Sequence, residues 1–354
     1  MSIVIDDKKI TNINISNKNV QKIVDELTGK IIFEKTKPVS NEYFYIENAY
    51  YSNNTISLIT KIGSDYTTGS NATQLQYSKD KETWTTITLS GTNTIPMNSG
   101  ERVYFRNDNG FFNWYNSGSY QDYFYTQIDC TKAHKVGGNI NTLLDYKNPN
   151  VAITPYCFYQ LFYKNKYLTD ANELIFSKTS LASNCYREMF YRCTSLTTAP
   201  TELPATTLAE YCYDSMFENC TSLTTAPELP ATTLAIGCYN QMFSSCSELT
   251  TAPALPATTL AGDCYESMFQ YCSSLTTAPE LPATTLANYC YRFMFGSCKK
   301  LNSITVYADD VSATDCTTDW LLNVASSGTF RNLGSATYSR DTSGIPTGWT
   351  EVKN

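Results

Sequence analysis

The second half of the chain carries four near-identical copies of Cys-Tyr-x-x-Met-Phe-x-x-Cys, from Cys212 to Cys220, Cys238 to Cys246, Cys264 to Cys272 and Cys290 to Cys298. Their leading cysteines recur every 26 residues. A fixed period of this length means that one small unit is reused, and that each copy buries its apolar side only against its neighbours. The expected product is a stacked solenoid, whose function lies in a surface rather than in a cleft. Weaker copies flank the four. Cys185, Tyr186, Met189, Phe190 and Cys193 precede Cys212 by 27 residues, Cys157 to Phe162 form a degenerate copy, and Cys316 to Leu321 fall where the next copy is due. Terminal units that drift from the consensus suit coils whose outer faces meet water. The solenoid is placed at 130–330.

On a helix advancing about 100° per residue, with Cys212 at zero, Tyr213 falls near 100°, Met216 near 40°, Phe217 near 140° and Cys220 near 80°. All five share one face, and the intervening positions take the other. The spacing therefore predicts a short helix in each unit, with Leu208 and Ala209 joining its apolar side and Thr207 as its N-cap. The predicted core ladder is Cys185, Cys193, Cys212, Met216, Phe217, Cys220, Cys238, Met242, Phe243, Cys246, Cys264, Met268, Phe269, Cys272, Cys290, Met294, Phe295 and Cys298. Asp214, Asn240, Glu266 and Arg292 vary between copies and are expected to point outward, as one candidate binding face. Prolines in segments such as Ala226-Pro227-Glu228-Leu229-Pro230 exclude helix there and remove ladder donors. A very short strand is expected around Leu223-Thr224-Thr225, and the threonine side at Thr224-Thr225, Thr250-Thr251 and Thr276-Thr277 is the competing face.

Thirteen cysteines invite a disulfide or metal reading. Two cysteines eight residues apart on one helix stand about 12 Å apart along the axis, beyond disulfide reach. No Cys-x-x-Cys supplies zinc-ligand spacing. Reduced thiols packed as small hydrophobes are the expectation. A formal charge of −7 argues against a nucleic-acid-binding stripe. No stretch approaches the roughly 18 apolar residues of a membrane span. The opening Met1 to Lys9 has no basic head or apolar run of a signal peptide, so synthesis in a cytoplasm is expected.

Ahead of the repeats, alternating apolar residues at Ile10 to Ile15, Val20 to Val24 and Ile31 to Phe33 predict a small β-hairpin unit over 1–36. A polar linker is placed at 37–42. Short β-rich runs at Tyr43–Ile46, Thr55–Ile59, Leu75–Ser78, Thr83–Ile87 and Arg102–Phe105 predict a β-sandwich over 43–129, and 331–354 is assigned as a C-terminal cap. Phe111 to Tyr115 and Tyr120 to Tyr125 concentrate aromatic residues. Two readings stand side by side: strand packing, or an exposed stacking platform for sugar or a partner protein. The fold class expected is multidomain: hairpin segment, β-sandwich, then an α/β solenoid of about 26-residue repeats.

Chemistry is sparse. His134 is the single histidine, read as a solvated loop residue, and it leaves a Ser-His-Asp or Cys-His arrangement little to build on. No phosphate loop, HExxH or EF-hand pattern occurs. Asp309, Asp310 and Asp315 offer fewer oxygens than the six to eight that calcium takes. No catalytic residue, metal ligand or cofactor is assigned, although paired carboxylates for glycoside cleavage converge in space rather than in sequence.

The residues resemble a known family. Met216-Phe217-Glu218-Asn219-Cys220-Thr221-Ser222-Leu223 resembles the Ala-Phe-x-x-Cys-x-x-Leu core of BspA-type leucine-rich repeat proteins, in a variant carrying Leu-Pro-Ala-Thr-Thr-Leu-Ala, over about 130–330. Gly344 to Thr350 is similar to their terminal segment. The resemblance implies a non-enzymatic surface protein used in adhesion or recognition, common in gut Bacteroidales and their phages. Asn19 to Asp25 with Thr28 to Ile32 looks like short docking segments of tailed-phage fibre, baseplate and decoration proteins. Together these point to a virion component made in the host cytoplasm. It would dock on other virion proteins through its N-terminus and bind host-surface glycan or protein as a homo-oligomer. A bacterial cell-surface adhesin is the alternative, and a carbohydrate-active enzyme the minor one.

Overall fold

A computed structural model describes strands at 3–5, 8–10, 22–24 and 31–34, and residues 42–48, 50–63, 74–108, 113–115, 123–148 and 150–353. The chain divides into two compact units, Met1–Asn41 and Glu42–Asn354. In the first, β1 (Ile3–Ile5) pairs antiparallel with β2 (Lys8–Ile10), and β3 (Lys22–Val24) with β4 (Ile31–Glu34). The expected alternation at Ile13 and Ile15 and the connector at 35–41 lie outside the described residues.

The second unit opens with two facing sheets. One has the order β14 (Leu168–Ile175), β13 (His134–Asn139), β5 (Phe44–Asn48), β10 (Glu101–Arg106), β7 (Gln74–Ser78) and β8 (Thr85–Thr88). The other has the order β11 (Trp114–Tyr115), β12 (Tyr123–Cys130), β6 (Asn54–Ile62) and β9 (Thr92–Met97). Strand alternation sets which side is buried: Asn54, Ile56, Leu58 and Thr60 of β6 face inward, as do Phe124, Thr126, Ile128 and Cys130 of β12. The sheets do not stop at residue 129. β13 runs antiparallel to β5 and parallel to β14, so one sheet continues into the first coil of the repeats. At the other end β15 (Ser303–Val306), β16 (Gly328–Asn332) and β17 (Trp349–Lys353) form one parallel sheet across the boundary expected at 330. Shared backbone ladders, rather than linkers, join these regions.

The repeats form no α-helix. The one α-helix among the described residues is α1 (Thr142–Asp145), outside the motif. Each nine-residue motif is instead a run of overlapping β-turns. Amides of Cys212, Asp214, Met216, Glu218 and Cys220 bond three residues back, to carbonyls of Ala209, Tyr211, Tyr213, Ser215 and Phe217. The alternate amides, of Tyr211, Tyr213, Ser215, Phe217 and Asn219, bond forward to Ile236, Cys238, Asn240, Met242 and Ser244 of the next coil. The geometry requires positive φ at every fourth residue, as at Tyr211, Ser215 and Asn219. An α-helix would leave every amide inside its own coil; this ribbon sends half of them across, so stacking is written into the backbone. Each left-handed non-glycine residue costs on the order of 1–2 kcal/mol, offset by an inter-coil bond every second residue at about 0.5–1.5 kcal/mol and by the packing it permits. Gly237 takes such a position at φ 56°, where a Cβ would run into the ring of Tyr211. Thr207 caps no helix; it forms a parallel bridge with Ser180. The short strand expected at Leu223-Thr224-Thr225 is a single-residue bridge, Thr198 to Thr225 to Thr251, repeated from coil to coil. The result is a sheet-rich repeat fold with almost no helix.

Equivalent side chains stand in columns. Tyr186, Tyr213, Tyr239, Tyr265 and Tyr291 stack with centroids 5.6 to 6.1 Å apart, and the column continues through Trp320, 6.0 Å from Tyr291, to Tyr338 at 5.9 Å. Phe162, Phe190, Phe217, Phe243, Phe269 and Phe295 form a second column. Offset stacks of this kind add about 0.5–1.5 kcal/mol per pair beyond the area buried.

Candidate functional site

All eighteen residues of the predicted ladder, from Cys185 to Cys298, are fully buried at 0% exposure. The second cysteine of each motif has a specific task. The thiols of Cys220, Cys246, Cys272 and Cys298 donate to the carbonyls of Phe190, Phe217, Phe243 and Phe269 of the coil before, at 3.1, 3.2, 3.1 and 3.0 Å. A small apolar group with one weak donor suits that slot. Burial pushes the Cys212 and Cys264 thiols up to about 12 and that of Cys220 well above the ordinary range, which disfavours the reactive thiolate. Every described cysteine is free.

The first candidate face is not free surface. Asp214 is buried, 6% exposed, and its Oδ2 lies 3.0 Å from Nε of Arg187 on the preceding coil. Asn240 donates to Glu266 at 3.3 Å, and Arg292 Nε donates to Glu266 at 2.9 Å. The expectation that these positions point outward is therefore corrected at Asp214, while Asn240, Glu266 and Arg292 are half-buried and engaged with one another. Successive coils bring them side by side: Arg187 pairs with Asp214, and Glu266 takes both Asn240 and Arg292. Burial raises the Asp214 carboxyl to about 6, with Arg187 pulling it partly back.

The threonine face is exposed at Thr224, Thr225, Thr250, Thr251, Thr276 and Thr277. Some of its hydroxyls are already occupied: Thr197 Oγ1 donates to Thr169 O at 3.0 Å and Thr224 Oγ1 to Thr197 O at 3.2 Å. Asp310 accepts from Ser312 and Asp315 from Thr318 within their own turns, while Asp309 accepts from Ser335 one period further on.

His134 is not in a solvated loop. It sits on β13 with 1% exposure, its Nδ1 3.0 Å from Lys132 O and its Nε2 3.2 Å from Asn165 Nδ2. The carbonyl demands a proton on Nδ1, which leaves Nε2 to accept from the amide. Burial lowers its pKa to about 4, so the ring stays neutral. It ties the sandwich sheet to the turn at Asn165 of the first coil.

Tyr123 and Tyr125 of the aromatic run take part in a larger surface that spacing alone did not reveal. Tyr123 and Tyr125 of β12 have ring centroids 5.6 Å apart, and Tyr125 meets Tyr159 of the first coil edge-on at 5.4 Å. Phe111 and Phe112 lie outside the described residues.

No family model matches the chain, and no match is found among curated proteins. One solved structure, a leucine-rich repeat protein of T. pallidum, is similar at 16% identity over 63% of this chain and 84% of its own, with a TM-score of 0.28.

Proposed function

We propose that this chain is a non-enzymatic adhesion and structural protein. In this reading its 26-residue coils build a leucine-rich-repeat-like solenoid of BspA type, displayed on a phage virion, that binds glycan or protein on the host surface. The unit holding β1 to β4 docks on other virion proteins, and several copies act together, since weak contacts on one particle multiply. The observation that carries the reading is the allocation of the motif's side chains. Its cysteines, methionines, tyrosines and phenylalanines are spent between coils, Asp214 on Arg187, and Glu266 on Arg292. What varies freely lies on the outside of the stack.

Proteomics of purified particles, together with pull-down of the labelled chain on host cells, tests this. Presence in particles and saturable cell binding are expected. Finding the protein on the bacterial envelope instead would favour the surface-adhesin reading, and no cell binding in any form would reduce the array to a spacer.

A further inference from the structure

Outward positions of β12 and of the first two coils converge on a surface of tyrosines. Tyr123, Tyr125 and Gln127 alternate with the buried residues of β12 and share its outer face. Beyond Tyr125 and Tyr159, Tyr159 meets Tyr156 edge-on at 5.8 Å, and Tyr163 stacks on Tyr191 of the next coil at 5.1 Å. Tyr163 and Glu188 are close enough to Tyr125 to add to burial and to Tyr123 in raising its phenol to about 12. These six rings are all half-buried. Beside them runs a polar chain: Gln127 Nε2 donates to Gln160 Oε1 at 3.2 Å, and Gln160 Nε2 donates to Glu188 Oε2 at 2.6 Å.

Packing does not require these rings. The coil position of Tyr159 is filled by Arg187, Asp214 and Asn240 in the three coils that follow, and the position of Tyr163 and Tyr191 by Ser244 and Gly296 further along. Those coils keep the same hydrogen bonds. The aromatic side chains are therefore an addition to the fold at its first two coils.

The chemistry selects the ligand. Every ring here bears a hydroxyl, Lys164 and Arg192 lie over Tyr163 and Tyr191, and the Gln127–Gln160–Glu188 chain sets amide and carboxylate groups beside the rings. Tyrosine presents a flat apolar face with a hydrogen-bonding rim at little entropic cost. The complement is a ring with one C–H face and a rim of hydroxyls. We propose that Tyr125 and Tyr159 stack on pyranose rings of a neutral oligosaccharide beside the Tyr163–Tyr191 pair, whose faces are already taken by each other and by Lys164 and Arg192, while Gln127 and Glu188, held in place through Gln160, take its hydroxyls. The assignment rests on the recognition reading above and gives it a place and a ligand class.

The test uses the full chain with maltohexaose, mannohexaose and the hexamer of N-acetylglucosamine, by calorimetry and ligand-observed NMR. The variant Tyr159→Asn with Tyr163→Ser and Tyr191→Ser borrows residues that other coils already carry, and circular dichroism checks that it folds. Binding of at least one hexaose, weakened about tenfold or more in the variant and unchanged by Thr224→Val with Thr225→Val on the threonine face, is expected. Three outcomes overturn the proposal. If no hexaose binds, or the tyrosine variant binds as well as the parent, the platform is not a saccharide site, while cell binding can still uphold the recognition reading. If the variant loses cell binding with no sugar bound by the parent, the surface serves a protein.

Discussion

The sandwich and the repeats close their backbones by different rules. In the sandwich, β6 and β12 pair over seven residues in one register, and burial alternates every second residue. In the repeats, each amide goes alternately to its own turn and to the next coil, and burial recurs every fourth residue. A strand pair therefore holds its partner by a continuous ladder, whereas a coil is half self-sufficient and half dependent on its neighbour. The difference predicts that damage stays local in one region and spreads in the other.

The largest expected effect is Met242→Asp. An unpaired carboxylate at a fully buried position should cost more than about 4 kcal/mol, and the loss of amide protection should extend to coils 212–220 and 264–272. Hydrogen exchange read by mass spectrometry checks this, and a loss confined to coil 238–246 would contradict the coupling.

Acid should act on the two regions with opposite sign. His134 is neutral in the fold with a pKa of about 4, against 6.5 unfolded, so the unfolded chain binds more protons between those values. Stability held by the sandwich is therefore lost as pH falls through that window, by up to about 3 kcal/mol, and His134→Gln should remove the loss. Asp214 has the reverse shift, from 3.8 to about 6, so the folded chain binds more protons there and acid stabilises its coil. Asp214→Asn, which copies Asn240, should stabilise at pH 7.5 by up to about 3 kcal/mol and have little effect near pH 4. Urea denaturation of both variants at the two pH values reads these slopes; parallel slopes would break the comparison.

A smaller gain is expected from Tyr239→Phe. The Tyr239 hydroxyl is buried with no hydrogen-bond partner among the described residues, and the first coil already carries Phe158 in this column. Removing it should raise stability by about 1 kcal/mol, seen as a higher melting temperature. Thr224→Val, which deletes one exposed hydroxyl bond, should change stability by less than about 0.5 kcal/mol.

The period and the buried set were legible because burial repeats with the motif whatever the backbone does between. Cys212, Met216 and Cys220 recur at four residues, and over nine residues a period of four is hard to tell from 3.6. The helix expectation failed there. A sequence hint was available in the residues that take positive φ: Asn184, Gly237, Asp263 and Asp315 all stand just before a leading cysteine, Asn219 and Asn323 share a second column, and these types tolerate that region. The strands of the sandwich were readable from β-rich runs, but β13 was hidden, since Lys135-Val136-Gly137-Gly138 has no alternating pattern and its place depends on β5 and β14. Asp214 looked outward for the same reason that the motif looked helical. The tyrosine surface joins residues 123 to 191, and only the folded chain brings them together.

Because every coil offers the one before it the same set of carbonyls, a change in length by one whole period leaves each surviving bond with an equivalent partner. Residues 239–264 could be lost, or present twice, and the column of rings would close again across the seam. Near-identical copies in a gene recombine readily with one another, so the reach of such a protein can be reset in a single genetic event while the face it presents at its first coils stays the same.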